Sequence, residues 1–543
     1  MSRSLKVGLA VVVVLVLTGG VLAVRRGGAV VLDAPPVTLD LARPDALVET
    51  ASLADLPRDL LQVPMFRDVL TEDFVGYYEQ SEGRLSLGGT LRRLAYEHDL
   101  DLGDWVIRTV IDQPAEIALW QADDGRLGHS LVIVQRTGLT RMLEMAAKVA
   151  LKDAQLKRVE GDLEVDGTAV PVYALAYARR RVLLFAGHGD RLVILSDAAM
   201  LTDRKGRLRG ASVVAGLLSA RAEAREIYRR HFALESGERR HTLAVGARYL
   251  SFGYQRFFPG VTALRFDFAR DGWATRVLLD PAALPERALA TRTLWSLVPA
   301  EPGACVALPV RWQEAATLAE AIGVEAAAVQ PVIEALDGPA AVCWYAKSRL
   351  YTPLFLVPTR RALEPAEAAV LERMFTAAVG AAEPALSGHA DPRYSVGRME
   401  AVEMSMWQRR VTAPDGVRRQ GFFQVSLARH RHAVAFSPDD RLVTEAIAVA
   451  GRQYPALADV LPEGATVLAV LVPRALGTLA EAEAFASLPA GQEPVFRNAA
   501  STRLVPRLAA LKTYPAYALV LPADAAPRAD RWLAVAWRPL ARP

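Results

Sequence analysis

The chain has 543 residues, too many for one domain of ordinary size. The hydrophobic set makes up 52% and charged residues only 23%, so the body can bury a large core. The net charge is +4, seven of the 64 basic residues are lysine, and basic pairs such as Arg229-Arg230, Arg360-Arg361 and Arg418-Arg419 are scattered, which argues against a nucleic-acid binder.

The first element is Val7–Val24, a run without charge between Arg3/Lys6 and Arg25/Arg26. At the helical rise it reaches about 27 Å, close to the hydrocarbon thickness of a bilayer. It is longer than the apolar core of a cleaved signal, and Arg25-Arg26 crowds the one small-residue cleavage site, so we read residues 1–26 as an uncleaved signal-anchor. The count of basic residues on the two flanks is a tie, and the short N-terminal tail suggests a cytoplasmic N-terminus. The expected location is the inner membrane, single-pass, with the body in the periplasm. Residues 27–45 are a Pro/Gly spacer.

Leu53 to Leu70 has helical spacing interrupted by Pro57 and Pro64. Ile117–Trp120 and Ser130–Gln135 read as strands, and Leu139–Leu151 as an amphipathic helix. Val159–Tyr177 reads as a hairpin turning at Asp166-Gly167, followed by strands at Val182–Phe185 and Leu192–Leu195. A helix is expected over Val213–Phe232, then strands within 242–250, 262–269 and 274–279.

The second half echoes the first. Asp337-Gly338-Pro339-Ala340 repeats the pattern of Asp112-Gln113-Pro114-Ala115, Asp415-Gly416 that of Asp166-Gly167, and Asp440–Val443 that of Asp190–Val193. The expected fold class is therefore α+β: two tandem, duplicated units, residues 46–290 and 291–543, with mainly antiparallel sheets and helices packed on them, after one transmembrane helix. Cys305 and Cys343 each sit in an apolar strand-like run. Two buried thiols and, in an oxidising compartment, a disulfide between neighbouring strands both fit.

Candidate chemistry is sparse. Glu97, His98 and Asp99 lie in the densest polar cluster and could relay a proton or meet a hard cation, but the calcium-loop spacing fails. His188 and Asp190 flank Gly189 in a turn, and His430 and His432 have the spacing of one strand face. A solvated turn or exposed strand explains each of these as readily. Ser387-Gly388-His389 is no nucleophile elbow, and no HExxH, GxGxxG or P-loop occurs. No catalytic residue, cofactor or metal site is assigned.

Leu56–Leu61, Asp68–Phe74, Tyr96–Leu100, Asp112–Trp120 and His188–Val193 together resemble the YfaA-like bacterial family, a domain of unknown function. The resemblance spans nearly the whole chain and is clearest in the first 200 residues. It implies an envelope protein, often encoded beside an alpha-2-macroglobulin-like protease trap, and implies no catalytic residue. The expected function is a non-enzymatic binding or scaffold module acting with a partner protein. A periplasmic hydrolase or metal-dependent enzyme around Glu97, His98 and Asp99, or His188 and Asp190, is the alternative.

Overall fold

The computed structural model describes residues 39–52, 114–122, 127–135, 156–178, 181–203, 207–208, 210–235, 241–251, 254–269, 272–387, 394–411, 425–486, 497–498, 500–522 and 525–540. The chain divides into two compact units. Unit 1 comprises Met1–Phe252 with Ala263–Ala274, and unit 2 comprises Gly253–Thr262 with Thr275–Pro543.

Unit 1 is built on β1 (Ala46–Thr50), β2 (Ala115–Gln121), β3 (Leu127–Gln135), β4 (Leu156–Val165), β5 (Thr168–Ala178), β6 (Arg181–His188), β7 (Arg191–Leu195), β8 (His241–Gly246) and, from Ala263 onward, β9 (Val261–Ala269). They lie side by side in the order β4-β5-β6-β7-β3-β2-β1-β8-β9, and every pair is antiparallel. Alternation explains the strands: in β2, Ala118 and Trp120 are buried while Ile117 and Leu119 are not fully so. Short helices at Ala211–Leu218, Ala222–Arg225 and Ile227–His231 cover the face carrying Trp120, whose ring meets that of Tyr228 edge-on at 6.1 Å. The single helix expected over Val213–Phe232 is thus three pieces. The break falls at Ser219-Ala220, where Asp166 of the β4–β5 turn accepts from Ser219 Oγ and Ala220 N, both at 2.6 Å.

Unit 2 contains β10 (Gly272–Leu279) from Thr275 onward, β11 (Ala304–Leu308), β12 (Ala340–Trp344), β13 (Leu354–Pro358), β14 (Tyr394–Ala401), β15 (Met404–Val411), β16 (Ser426–His430), β17 (Ala433–Ser437), β18 (Thr466–Leu471), β19 (Tyr517–Leu521) and β20 (Leu533–Pro539). Their order is β14-β15-β16-β17-β13-β12-β11-β18-β19-β20-β10, again antiparallel throughout. One face packs on Thr291–Trp295 and Asp440–Ala450 around Trp295, Leu356, Leu442 and Val443. The other packs on Ala315–Ala321, Ala326–Ala335 and Pro365–Ser387 around Trp407, Leu427 and Phe375. Cys305 and Cys343 oppose each other on β11 and β12, Cα atoms 4.1 Å apart, and are joined as a disulfide in the first of these cores.

The fold-class expectation is corrected. In place of an α+β fold following a transmembrane helix, the described residues are mostly antiparallel sheet with some helices. The described helices are mostly short, and in unit 2 they lie on both faces of the sheet. Among the described residues no helix is long and apolar enough to cross a membrane. Val7–Val24, Leu53–Leu70 and Leu139–Leu151 lie outside the described residues.

Strand order in unit 2 nonetheless repeats that of unit 1 position by position, β11 to β19 standing where β1 to β9 stand. Register agrees too. Ala115 pairs with Thr50 as Ala340 pairs with Leu308. Ile133 pairs with Val193 as Leu356 pairs with Ala435. The Asp-x-Pro-Ala echo marks this correctly, since β2 and β12 both begin at its alanine. The Asp190/Asp440 echo does not: Asp190 lies in a turn and Asp440–Val443 opens a helix. Asp415-Gly416 lies outside the described residues. By register the counterpart of His188 is His430, each closing its strand before a two-residue turn.

Candidate functional site

Residues directly opposed across a sheet share a face. One such row crosses unit 1: Asp267 on β9, Thr242 on β8, Glu49 on β1, Glu116 on β2, Ile133 on β3 and Val193 on β7. The neighbouring row on the same face is Arg265, Ala244, Leu47, Ala118, Leu131 and Leu195. Three carboxylates thus enter a face that is otherwise core, and Glu49 and Glu116 stand directly opposite one another. Like charges so placed repel.

Three arginines answer them, and a fourth meets Asp190 of the β6–β7 turn. Arg191 at the start of β7 approaches Glu116 Oε1 at 3.5 Å and donates to Leu217 O at 3.3 Å. Arg229 lies 3.4 Å from Glu49 and donates to Glu235 O at 2.8 Å. Arg225 reaches Asp190 at 2.8 Å. Arg265, 2% exposed, donates to Asp267 at 2.9 Å, and Thr242 Oγ1 donates to the same carboxylate at 2.8 Å. All of these side chains but that of Asp267 line, with Thr50, Pro114 and Gln135, a cavity of ≈ 350 Å³.

Burial, more than any other cause, raises the pKa of Glu116 above the ordinary 4.5; Arg191 opposes the rise and Glu49 adds to it. Glu116 Oε2 is buried with no hydrogen-bond partner among the described residues, and so is the hydroxyl of Tyr228. The Tyr228 hydroxyl is held in its neutral form by burial and then by the Glu116 charge. Glu116 lines the cavity, and a buried, perturbed and partly unsatisfied carboxyl in a cleft is a candidate functional group. Thr50 Oγ1 lies 2.7 Å from both Ser52 O and His241 Nδ1, and the His241 tautomer sets the direction of the second contact.

Of the residues singled out from sequence, Asp190 lines this cavity, and its carboxyl is held low by the Arg225 guanidinium. His188 closes β6 and does not line it. Glu97, His98 and Asp99 lie outside the described residues. His430 and His432 do not share a strand: His430 ends β16, and His432 sits in the turn. Among the described residues no group of three or more His, Cys, Asp or Glu is placed to hold a metal ion. Glu49, Glu116, Arg191, Arg229 and Arg265 were invisible to motif search. The usable signal was phase, because Glu49 and Glu116 each occupy the inward phase of an apolar strand.

Unit 2 shows the same face without the charges. Glu49, Glu116, Arg191, Arg265 and Asp267 correspond in register to Ala307, Ala341, Ala433, Ala518 and Val520. All five are buried.

The family model and the sequence relative point to the same family. A family model described as "Uncharacterized protein conserved in bacteria (DUF2138)" matches residues 4–537. "Uncharacterized protein YfaA" of Escherichia coli (strain K12) is 35% identical over 522 residues, 92% of this chain and 91% of that protein. Crystal forms III and IV of TP0453 align with a TM-score of 0.22 at 7% identity, over 49% of this chain and 86% and 85% of theirs, a likeness too slight to bear on the fold. The YfaA-like resemblance read from the sequence is thereby shown, and the chain belongs to the DUF2138 family of conserved bacterial proteins.

Proposed function

We propose that this chain is a non-enzymatic binding module of the cell envelope that takes a small polar ligand in the unit 1 cavity. It would be tethered to the inner membrane through Val7–Val24, with its body in the periplasm. The observation that carries the binding reading is the ionic layer itself: a fold that tolerates alanines at these positions in one unit keeps paired charges around a cavity in the other. The Cys305–Cys343 disulfide supports the envelope location, since such bonds persist in oxidising compartments. A partner of the alpha-2-macroglobulin-like kind is part of the proposal and rests on the family resemblance alone.

Two measurements test it. Alkaline phosphatase fused after Pro543 should be active, with the full-length product in the membrane fraction; an inactive reporter on a cytosolic product would sink the location. The low-mass fraction of an envelope extract should raise the melting temperature of the wild-type chain and leave R191A unmoved. An equal shift in both would remove the cavity from the proposal. Conversion of the solute, rather than its recovery unchanged, would favour the enzyme alternative with Glu116 as the general acid that its raised pKa permits.

A further inference from the structure

A second cavity, of ≈ 600 Å³, lies wholly within unit 2. It opens where β11 ends and β12 begins, the same end of the strand plan at which the unit 1 cavity touches Thr50 of β1 and Ala115 of β2. Arg287, Arg311 and Arg360 line it. The turn Asp337-Gly338 organises it. Gly338 takes φ +58°, which glycine adopts without a side-chain clash. Asp337 N donates to Pro358 O at 2.9 Å and Arg360 N to Ala335 O at 2.8 Å, so the turn is tied to the end of β13 and to the helix Ala326–Ala335. The buried Asp337 carboxylate takes Arg287 at 2.6 Å and lies 3.5 Å from Arg360 Nε. Gly338 O accepts from Trp312 Nε1 at 3.0 Å and fixes that ring in the wall.

The guanidinium donors exceed what the chain offers them. Only Arg287 closes on Asp337; at 3.5 Å the Arg360 contact is too long for a hydrogen bond. Arg311 is half-buried and anchored by its backbone, its N donating to Phe257 O at 2.8 Å, yet its guanidinium has neither an ion pair nor a hydrogen bond among the described residues. Glu286 and Glu334 also line the cavity, but both are exposed, Glu334 accepts from Gln330 at 3.0 Å, and neither pairs with these arginines among the described residues. An oxyanion entering the cavity would give Arg311 and Arg360 the acceptor that Asp337 does not, while Arg287 neutralises Asp337 behind it. Val310, Leu336 and the Trp312 ring supply apolar wall for whatever carries that oxyanion.

We propose that this cavity binds an organic anion, its carboxylate or phosphate head on Arg311 and Arg360 and its apolar or aromatic body against Trp312, Val310 and Leu336. The planar fork of arginine matches either head. The site belongs to unit 2 alone and does not rest on the reading of the unit 1 cavity.

The test is isothermal titration of the full-length chain in detergent with benzoate, indole-3-acetate and phenyl phosphate. Acetate and inorganic phosphate are the heads without a body, and benzyl alcohol is a body without a charge. At least one organic anion should bind, with its bare head and the neutral body each about 10- to 100-fold weaker, the worth of a charge-assisted bond or of the apolar contact. Arg311 makes no side-chain bond within the chain, so R311A should melt like wild type and lose affinity by about 10- to 100-fold. R311K keeps the charge without the fork and should fall between the two. Binding confined to carboxylates or to phosphates would support the proposal and identify the head. Equal affinity in wild type and R311A would overturn it, as would benzyl alcohol binding as tightly as the anions or no heat from any probe. Should R311A not melt cooperatively, R311K decides, and wild-type affinity in it would overturn the assignment of Arg311.

Discussion

At the scale of single residues the Glu116–Arg191 pair is the decisive case. Side-chain exposures of 21% and 19% leave it partly desolvated. Breaking such a pair from one side strands the other charge, whereas replacing both ions with small apolar groups is often neutral or stabilising. R191A should therefore cost about 1–3 kcal/mol in urea unfolding. E116A/R191A should cost less than either single change, the reverse of additivity. A double variant as unstable as the sum of its parts would show that the layer is there for stability. The disulfide allows a parallel argument. Cys305 and Cys343 occupy the register positions of Leu47 and Ala118, both fully buried. C305A/C343A should lose about 2–4 kcal/mol relative to the oxidised wild type. C305L/C343A, which restores the unit 1 combination, should recover part of that by burying a leucine. Reductant added to the wild type gives the reference for both, and a C305L/C343A variant less stable than C305A/C343A would mean that the two cores differ in shape.

Among elements, helix starts are the clearest repeated device. Asp197 accepts from Ala199 N at 2.8 Å and opens the short helix Ala198–Met200 after β7. Asp439 accepts from Arg441 N at 3.1 Å and opens Asp440–Ala450 after β17. Each aspartate satisfies a backbone N–H that the first turn leaves unpaired. D439A should cost about 1 kcal/mol by urea titration, with the amides of Asp440–Ala450 exchanging faster than those of β17; unchanged exchange would show the helix to be held by packing alone. These elements also show what the sequence made legible. Alternation located β2, β6, β7 and β9, and the Asp-Gly turn located the β4–β5 hairpin, because period and turn chemistry are local. The expected fold class gave helices too much weight, because apolar Ala- and Leu-rich runs read as either element without their neighbours. The ionic layer was illegible for a different reason: Asp267, Glu49 and Glu116 are far apart in the chain and meet only through strand order. Of the residues proposed from sequence, Asp190 alone lines the cavity among the described residues, placed there by the turn it occupies.

For the molecule as a whole, a face that carries charges in unit 1 is apolar in unit 2 on the same strand plan, and acid should reveal whether the charges carry a stability cost. Asp190 is held below its ordinary value by its hydrogen bond from Arg225, Glu367 by Arg361 and Glu483 by Arg349. Such groups contribute stability that is present above their ordinary values and lost as pH falls through their folded ones. Glu116 runs the other way. Its folded value is raised, so between 4.5 and that value the native chain holds a proton that the unfolded chain has released. Stability from this group is therefore complete below 4.5 and declines as pH rises through the raised value. E116Q cannot titrate. The stability of E116Q minus that of wild type, measured by urea unfolding at intervals from pH 4 to 8, should become more favourable to the variant as pH rises. Because both proteins share every other carboxylate, acid loss common to the two cancels in the difference. A flat or falling difference would mean that Arg191 fully compensates Glu116 and that its ionised form is no burden to the fold. A rising one would mean that ionising Glu116 works against the fold, as expected where a buried carboxyl is retained for a ligand.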